Sequence, residues 1–218
     1  MSDSHAASAL AHQFEDLEQQ HEAASLGMWI FLATEVMFFG GLFAGYTIYR
    51  NLYLPGFEAG SHMLNVTIGA FNTAVLIGSS LTMALAVRAA QTGKRNALVT
   101  FLLLTILLGL AFVLIKLTFE WRHDYLEGLA PGLNFTFAGP HAKSLQLFFC
   151  FYFIMTGVHA MHMVIGVGIL GVLVVQAWRG CYGPERFNVV EGAGLYWHFV
   201  DIVWIFLFPL LYLIGGRY

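Results

Sequence analysis

Five apolar runs, Ser25–Tyr49, Val66–Ala89, Asn96–Phe119, Leu145–Trp178 and Val189–Ile214, constrain this chain more than any other feature. Crossing the hydrocarbon of a bilayer takes about 20 residues of helix. Inside it every backbone N–H and C=O needs a partner, which leaves helices as the solution for runs of this length. Charged residues make up 11% of the 218, against roughly 25% in soluble domains. The expected fold is an all-α membrane protein: a five-transmembrane-helix bundle over residues 25–218, preceded by an acidic tail over 1–24. That tail carries Asp3, Glu15, Asp16, Glu18 and Glu22 without Lys or Arg, the wrong charge for a signal or transit peptide. Its His5, His12 and His21 share no helical register and read as solvated. The net charge of −3 provides no basic face for nucleic acid, and Cys150 and Cys181 form no CxxC motif.

The polar residues inside the runs are the candidates for function, because an ionisable side chain in hydrocarbon is costly unless it is paired or faces protein. In the last run Glu191, Gly194, His198 and Asp201 fall on one stripe at about 100° per residue, which predicts a face turned to other protein. Glu35 lies among Met28, Phe31, Leu32, Phe38 and Phe39, surroundings that favour a neutral carboxyl. It is either a proton-linked site or a structural acid bonded to another helix. Beside it, Gly27, Thr34, Gly41 and Gly45 form a small-residue stripe that predicts close helix packing.

The second run offers Gly69, Asn72, Thr73, Ser79 and Ser80 for interhelical packing. At the end of the third, Lys116 and Glu120 are spaced to pair, with Lys116 expected to snorkel outward. The stretch to Glu127 reads as an interfacial polar network. His159 and His162 share one face of the fourth run. A metal or haem would need more ligands from other helices, so interhelical hydrogen bonds are expected and no metal is assigned. Arg88, Lys94 and Arg95 are topology charges or contacts for anionic lipid headgroups. Five basic residues (Arg88, Lys94, Arg95, Arg179, Arg186) against four (Arg50, Arg122, Lys143, Arg217) favour a cytoplasmic N-terminus.

Five segments together resemble subunit III of the haem-copper cytochrome oxidases, over essentially all of Leu26 to Gly215. They are Trp29-Ile-Phe-Leu-Ala-Thr-Glu35-Val-Met-Phe-Phe39, Phe71-Asn-Thr-Ala-Val-Leu76, Phe119-Glu120-Trp121, Gly157-Val-His159-Ala-Met-His162 and Gly194-Leu-Tyr-Trp197-His198-Phe-Val-Asp201-Ile-Val-Trp204. The chain is similar to the shorter, five-helix bacterial forms, which lack the two leading helices and the lipid-holding cleft of the longer ones. The resemblance implies an accessory subunit of a proton-pumping terminal oxidase in the bacterial plasma membrane, with its C-terminus outside. It implies no redox centre in this chain, haem and copper in partner subunits I and II, direct contact with subunit I, and bound phospholipid. Such a subunit supports proton uptake and durability through repeated turnovers. Glu35 corresponds to the family's carbodiimide-reactive carboxyl. Glu120, His159, His162, Glu191, His198 and Asp201 would form an intramembrane polar network. Cytochrome c is the expected donor. The alternatives are the equivalent subunit of a quinol oxidase or nitric oxide reductase, or a free-standing transporter or channel, against which the absence of internal repeats speaks.

Overall fold

The computed structural model describes residues 17–184 and 186–214. In order these form α1 (Leu17–Leu52), α2 (Leu54–Met63), α3 (Val66–Gln91), α4 (Arg95–Ile115), a π-helical turn (Lys116–Trp121), α5 (Arg122–Leu126), α6 (Ala142–Trp178) and α7 (Asn188–Tyr212). Five stretches are long and apolar enough to cross a membrane: Glu18–Leu52, Val66–Gln91, Arg95–Leu126, Ala142–Trp178 and Asn188–Tyr212. No strand occurs among the described residues. Most of the expected acidic tail, with His5 and His12, lies outside them, as does Arg217.

α1 starts at Leu17, ahead of the expected Ser25. Residues 17–24 are Leu, Glu, Gln, His and Ala, mostly strong helix formers, so the helix continues past the apolar run. The chain divides into two compact units, up to Gly40 and from Gly41 onward. In the first, Leu32 and Phe39 are buried and Glu35 is half-buried.

In the second unit α3 packs against α4 and α7, and α6 closes the ring by packing against the same two helices. Trp197 of α7 sits at the centre of this bundle. A Cβ at Gly109 of α4 would stand 2.7 Å from its ring, and one at Gly166 of α6 would stand 2.9 Å away. Only glycine leaves room for that indole. Its Nε1 donates to Ser79 Oγ at 3.1 Å, and Ser79 donates to the Thr105 carbonyl at 3.3 Å. Asn72 Nδ2 donates to the Phe112 carbonyl at 3.2 Å, and Trp204 Nε1 donates to Thr73 Oγ1 at 3.0 Å. The small and hydroxyl residues of α3 thus serve as the interhelical connectors that their spacing predicts.

One packing expectation is corrected. Gly41 and Gly45 do not seat a neighbouring backbone: a Cβ at Gly41 would meet nothing within 4 Å, and one at Gly45 meets only the Phe151 ring, at 3.6 Å. The close approach is instead at Gly56 and Gly60 of α2, whose missing side chains admit Ser144 and Phe148. That short helix, which lies between the first two apolar runs, buries Gly56, Phe57, Gly60 and Ser61. Phe57 joins Tyr46 at a ring separation of 5.3 Å, and Tyr46 donates its hydroxyl to the Leu210 carbonyl at 2.9 Å.

Candidate functional site: a buried lysine cluster and two clefts

The π-helical turn from Lys116 to Trp121 is the local departure that builds the site. One extra residue per turn re-aims the side chains of a helix, and such turns concentrate at functional positions. Here it directs Lys116 and Glu120 into the bundle, where they are 1% and 5% exposed. Lys116 Nζ lies 2.5 Å from Glu120 Oε2. It donates to Tyr152 Oη at 3.1 Å and to Tyr212 Oη at 2.5 Å. Both phenols in turn donate to Glu120 Oε2. The ammonium also stands 4.6, 5.2 and 5.1 Å from the ring centroids of Tyr152, Trp204 and Tyr212. The expected outward snorkel of Lys116 is therefore corrected. A carboxylate, two phenol oxygens and three ring faces solvate the ammonium inside the protein.

A cavity of about 390 Å³ adjoins this cluster and is lined by Asn65, Val66, Thr67, Glu120, Asp124 and Tyr152 among others. Glu120 Oε1 and Asp124 Oδ2 are buried without a hydrogen-bond partner among the described residues. Asp124, Tyr152 and Tyr212 were not singled out from sequence. Asp124 continues the four-residue spacing Lys116–Glu120–Asp124 on one helical stripe, a signal available in the sequence. The tyrosines, inside long apolar runs, carry no such signal.

His159 is fully buried, and neither ring nitrogen has a hydrogen-bond partner among the described residues. Its ring packs 5.5 Å from Phe112 and 5.2 Å from Trp204. The expected interhelical hydrogen bond is replaced there by aromatic packing. His162 Nδ1 lies 2.8 Å from the Val158 carbonyl of its own helix, and the His162 carbonyl accepts from Tyr196 Oη at 3.0 Å.

A second cleft, of about 330 Å³, opens between α3 and α7, with Ser80, His198 and Asp201 set in apolar walls. His198 Nδ1 lies 2.7 Å from Ser80 Oγ. Asp201 is 4% exposed, and neither carboxyl oxygen has a hydrogen-bond partner among the described residues. His198 and Asp201 thus share a cleft. Gly194 of that stripe is buried against Val87, and Glu191 is exposed at the first turn of α7. Arg88, Lys94 and Arg95 are exposed at the turn joining α3 to α4. Glu35 belongs to the other compact unit. Among the described residues no three His, Cys, Asp or Glu side chains gather as metal ligands would.

Residues 11–216 match the family described as cytochrome c oxidase subunit III. The chain is 32% identical over 203 residues to a Bacillus subtilis (strain 168) protein named quinol oxidase subunit 3, covering 91% of this chain and 92% of that one. It is 30% identical over 198 residues to cytochrome c oxidase subunit 3 of Papio hamadryas, covering 87% of this chain and 69% of the relative. It is also 31% identical over 195 residues to a heme-copper oxidase subunit I+III of Aeropyrum pernix, covering 86% of this chain and 22% of that longer protein.

Proposed function

Because the chain belongs to the cytochrome c oxidase subunit III family of haem-copper oxidases, we propose that it is the accessory subunit that holds and protects the catalytic core while carrying no redox centre itself. Membership makes it a multi-span membrane subunit of an oxidoreductase complex. The observation that carries the reading is the family match over residues 11–216. The use made of the buried polar groups supports it. Lys116 and Glu120 compensate each other, and His159 is packed between aromatic rings.

Subunit I is the proposed direct partner, a reading supported by the Aeropyrum pernix relative, whose name joins subunits I and III in one chain. Haem and copper would reside in the partner subunits, and phospholipid would line the lipid-facing surface. The remaining assignments belong to the same proposal: a tail over 1–24, a membrane domain over 25–218, a cytoplasmic N-terminus in a bacterial plasma membrane, and Glu35 as the carbodiimide-reactive carboxyl. For the donor, the Glu35-bearing helix supports cytochrome c. The 32% identity to the Bacillus subtilis quinol oxidase subunit supports quinol as a second reading.

Purifying the complex with and without this chain tests the proposal. Without it, haem bands and initial O2 reduction persist and activity decays faster over successive turnovers. Loss of the haem together with this chain would overturn the reading. Supplying reduced cytochrome c and a quinol separately to the same complex identifies the donor.

A further inference from the structure

The cavity beside the lysine cluster has two walls of opposite character. One is the turn and α5 segment, with the unpartnered oxygens Glu120 Oε1 and Asp124 Oδ2. Both side chains are at least nine-tenths buried and both line the cavity. With Lys116 the cluster holds two carboxyl groups and one amine, and the exposed His123, 4.0 Å from Asp124 Oδ1, also lines the cavity. The other wall is the start of α3. A helix leaves its first four N–H groups without intrahelical partners. Asn65 caps one of them, its Oδ1 accepting from Ile68 N–H at 3.2 Å, while its carbonyl accepts the first helical bond from Gly69 N–H at 3.1 Å. The N–H groups of Val66 and Thr67 are among those left, and both residues line the cavity. That wall suits an anion.

From these facing walls we propose that the cavity binds the phosphoethanolamine headgroup of a membrane lipid. The primary ammonium donates to Asp124 and Glu120, and the phosphate sits on the first turn of α3. A primary ammonium carries three donors, enough for both orphaned oxygens. A divalent cation, which takes about six or more oxygen ligands, fits less well: His123 also lines the cavity, but among the described residues no three His, Cys, Asp or Glu side chains are placed to hold a metal ion. The cavity lies where the second span begins and the third ends, the depth at which headgroups reside. Arg88, Lys94 and Arg95, the basic headgroup candidates, lie at the other end of α3.

The test uses the intact complex carrying this chain in nanodiscs, with a photoreactive phosphatidylethanolamine and peptide mapping of the crosslinks. Crosslinks are expected in residues 63–68 and 119–124, competed by unlabelled phosphatidylethanolamine. Phosphatidylglycerol, which lacks the ammonium, and phosphatidylcholine, whose quaternary nitrogen donates no hydrogen bond, should compete about tenfold less well. Asp124→Asn should lower crosslinking by a similar factor, about tenfold. Val66→Pro provides a second variant that spares the acidic wall. It deletes one N–H at the first helical position, where proline is tolerated, after an Asn65 whose backbone is already extended. It should weaken crosslinking severalfold. Equal competition by all three lipids, or unchanged crosslinking in both variants, would overturn the proposal. Displacement by soluble O-phosphoethanolamine at concentrations matching the lipid would overturn the lipid as the source of this headgroup.

Discussion

Replacing Lys116 by Met isolates the energetics at the centre of the bundle. At the observed 2.5 Å from Glu120, and with an effective dielectric of about 20, the Coulomb attraction of the pair is about 6–7 kcal/mol. Desolvating the two ions costs several kcal/mol each, so the net contribution of the intact pair is small. Removing only the lysine leaves the cost without the compensation. It also strips the ammonium from Tyr152 and Tyr212. Buried pairs broken in this way lose about 3–5 kcal/mol, and Lys116→Met should fall in that range. The double variant Lys116→Met with Glu120→Met replaces the pair by side chains of similar volume and should recover part of that loss, remaining about 1–3 kcal/mol below the parent because Tyr152 and Tyr212 lose their acceptor. Equilibrium unfolding of the chain in mixed dodecylmaltoside–SDS micelles, followed by tryptophan emission, reads both values. A single variant costing less than about 1 kcal/mol, or a double variant worse than the single, would refute the description of Lys116 and Glu120 as a compensated buried pair.

Gly109→Ala places a methyl 2.7 Å from the Trp197 ring and should cost about 1–3 kcal/mol by overpacking, with a shifted Trp197 emission as the marker. Ser79→Ala leaves the Trp197 Nε1 donor unpaired in the bundle and should cost about 1–3 kcal/mol in the same unfolding assay. Glu35→Gln should leave assembly and initial turnover intact while abolishing the principal carbodiimide label; loss of the complex from the membrane, or labelling spread over Glu120 and Glu191, would contradict that role.

The five membrane-length helices were legible because hydrocarbon demands long apolar helices, although the first begins at Glu18 and the third runs on to Leu126, beyond the apolar runs. The connectors of α3 were legible for a related reason: small and hydroxyl residues repeated along one face have few uses in a membrane helix other than close packing and interhelical bonds. Features set by tertiary context were not. α2 is short and holds two glycines, Gly56 and Gly60, which count against a helix until Ser144 and Phe148 occupy the space they leave. Lys116 at the end of an apolar run reads as a snorkelling residue. Its inward course depends on the π-helical turn and on tyrosines from α6 and α7, which are 36 and 96 residues away in sequence. His159 was expected to find a hydrogen bond, and aromatic rings from two other helices enclose it instead.

The most direct test of the central claim, membership of a haem-copper oxidase as a subunit without a redox centre, is a gentle detergent pull-down on this chain. It is followed by a reduced-minus-oxidised spectrum and metal analysis of the complex and of the separated chain. Haem bands with copper are expected in the complex and neither in the separated chain. A stable complex without haem, or haem or copper that stays with this chain after separation, would contradict it.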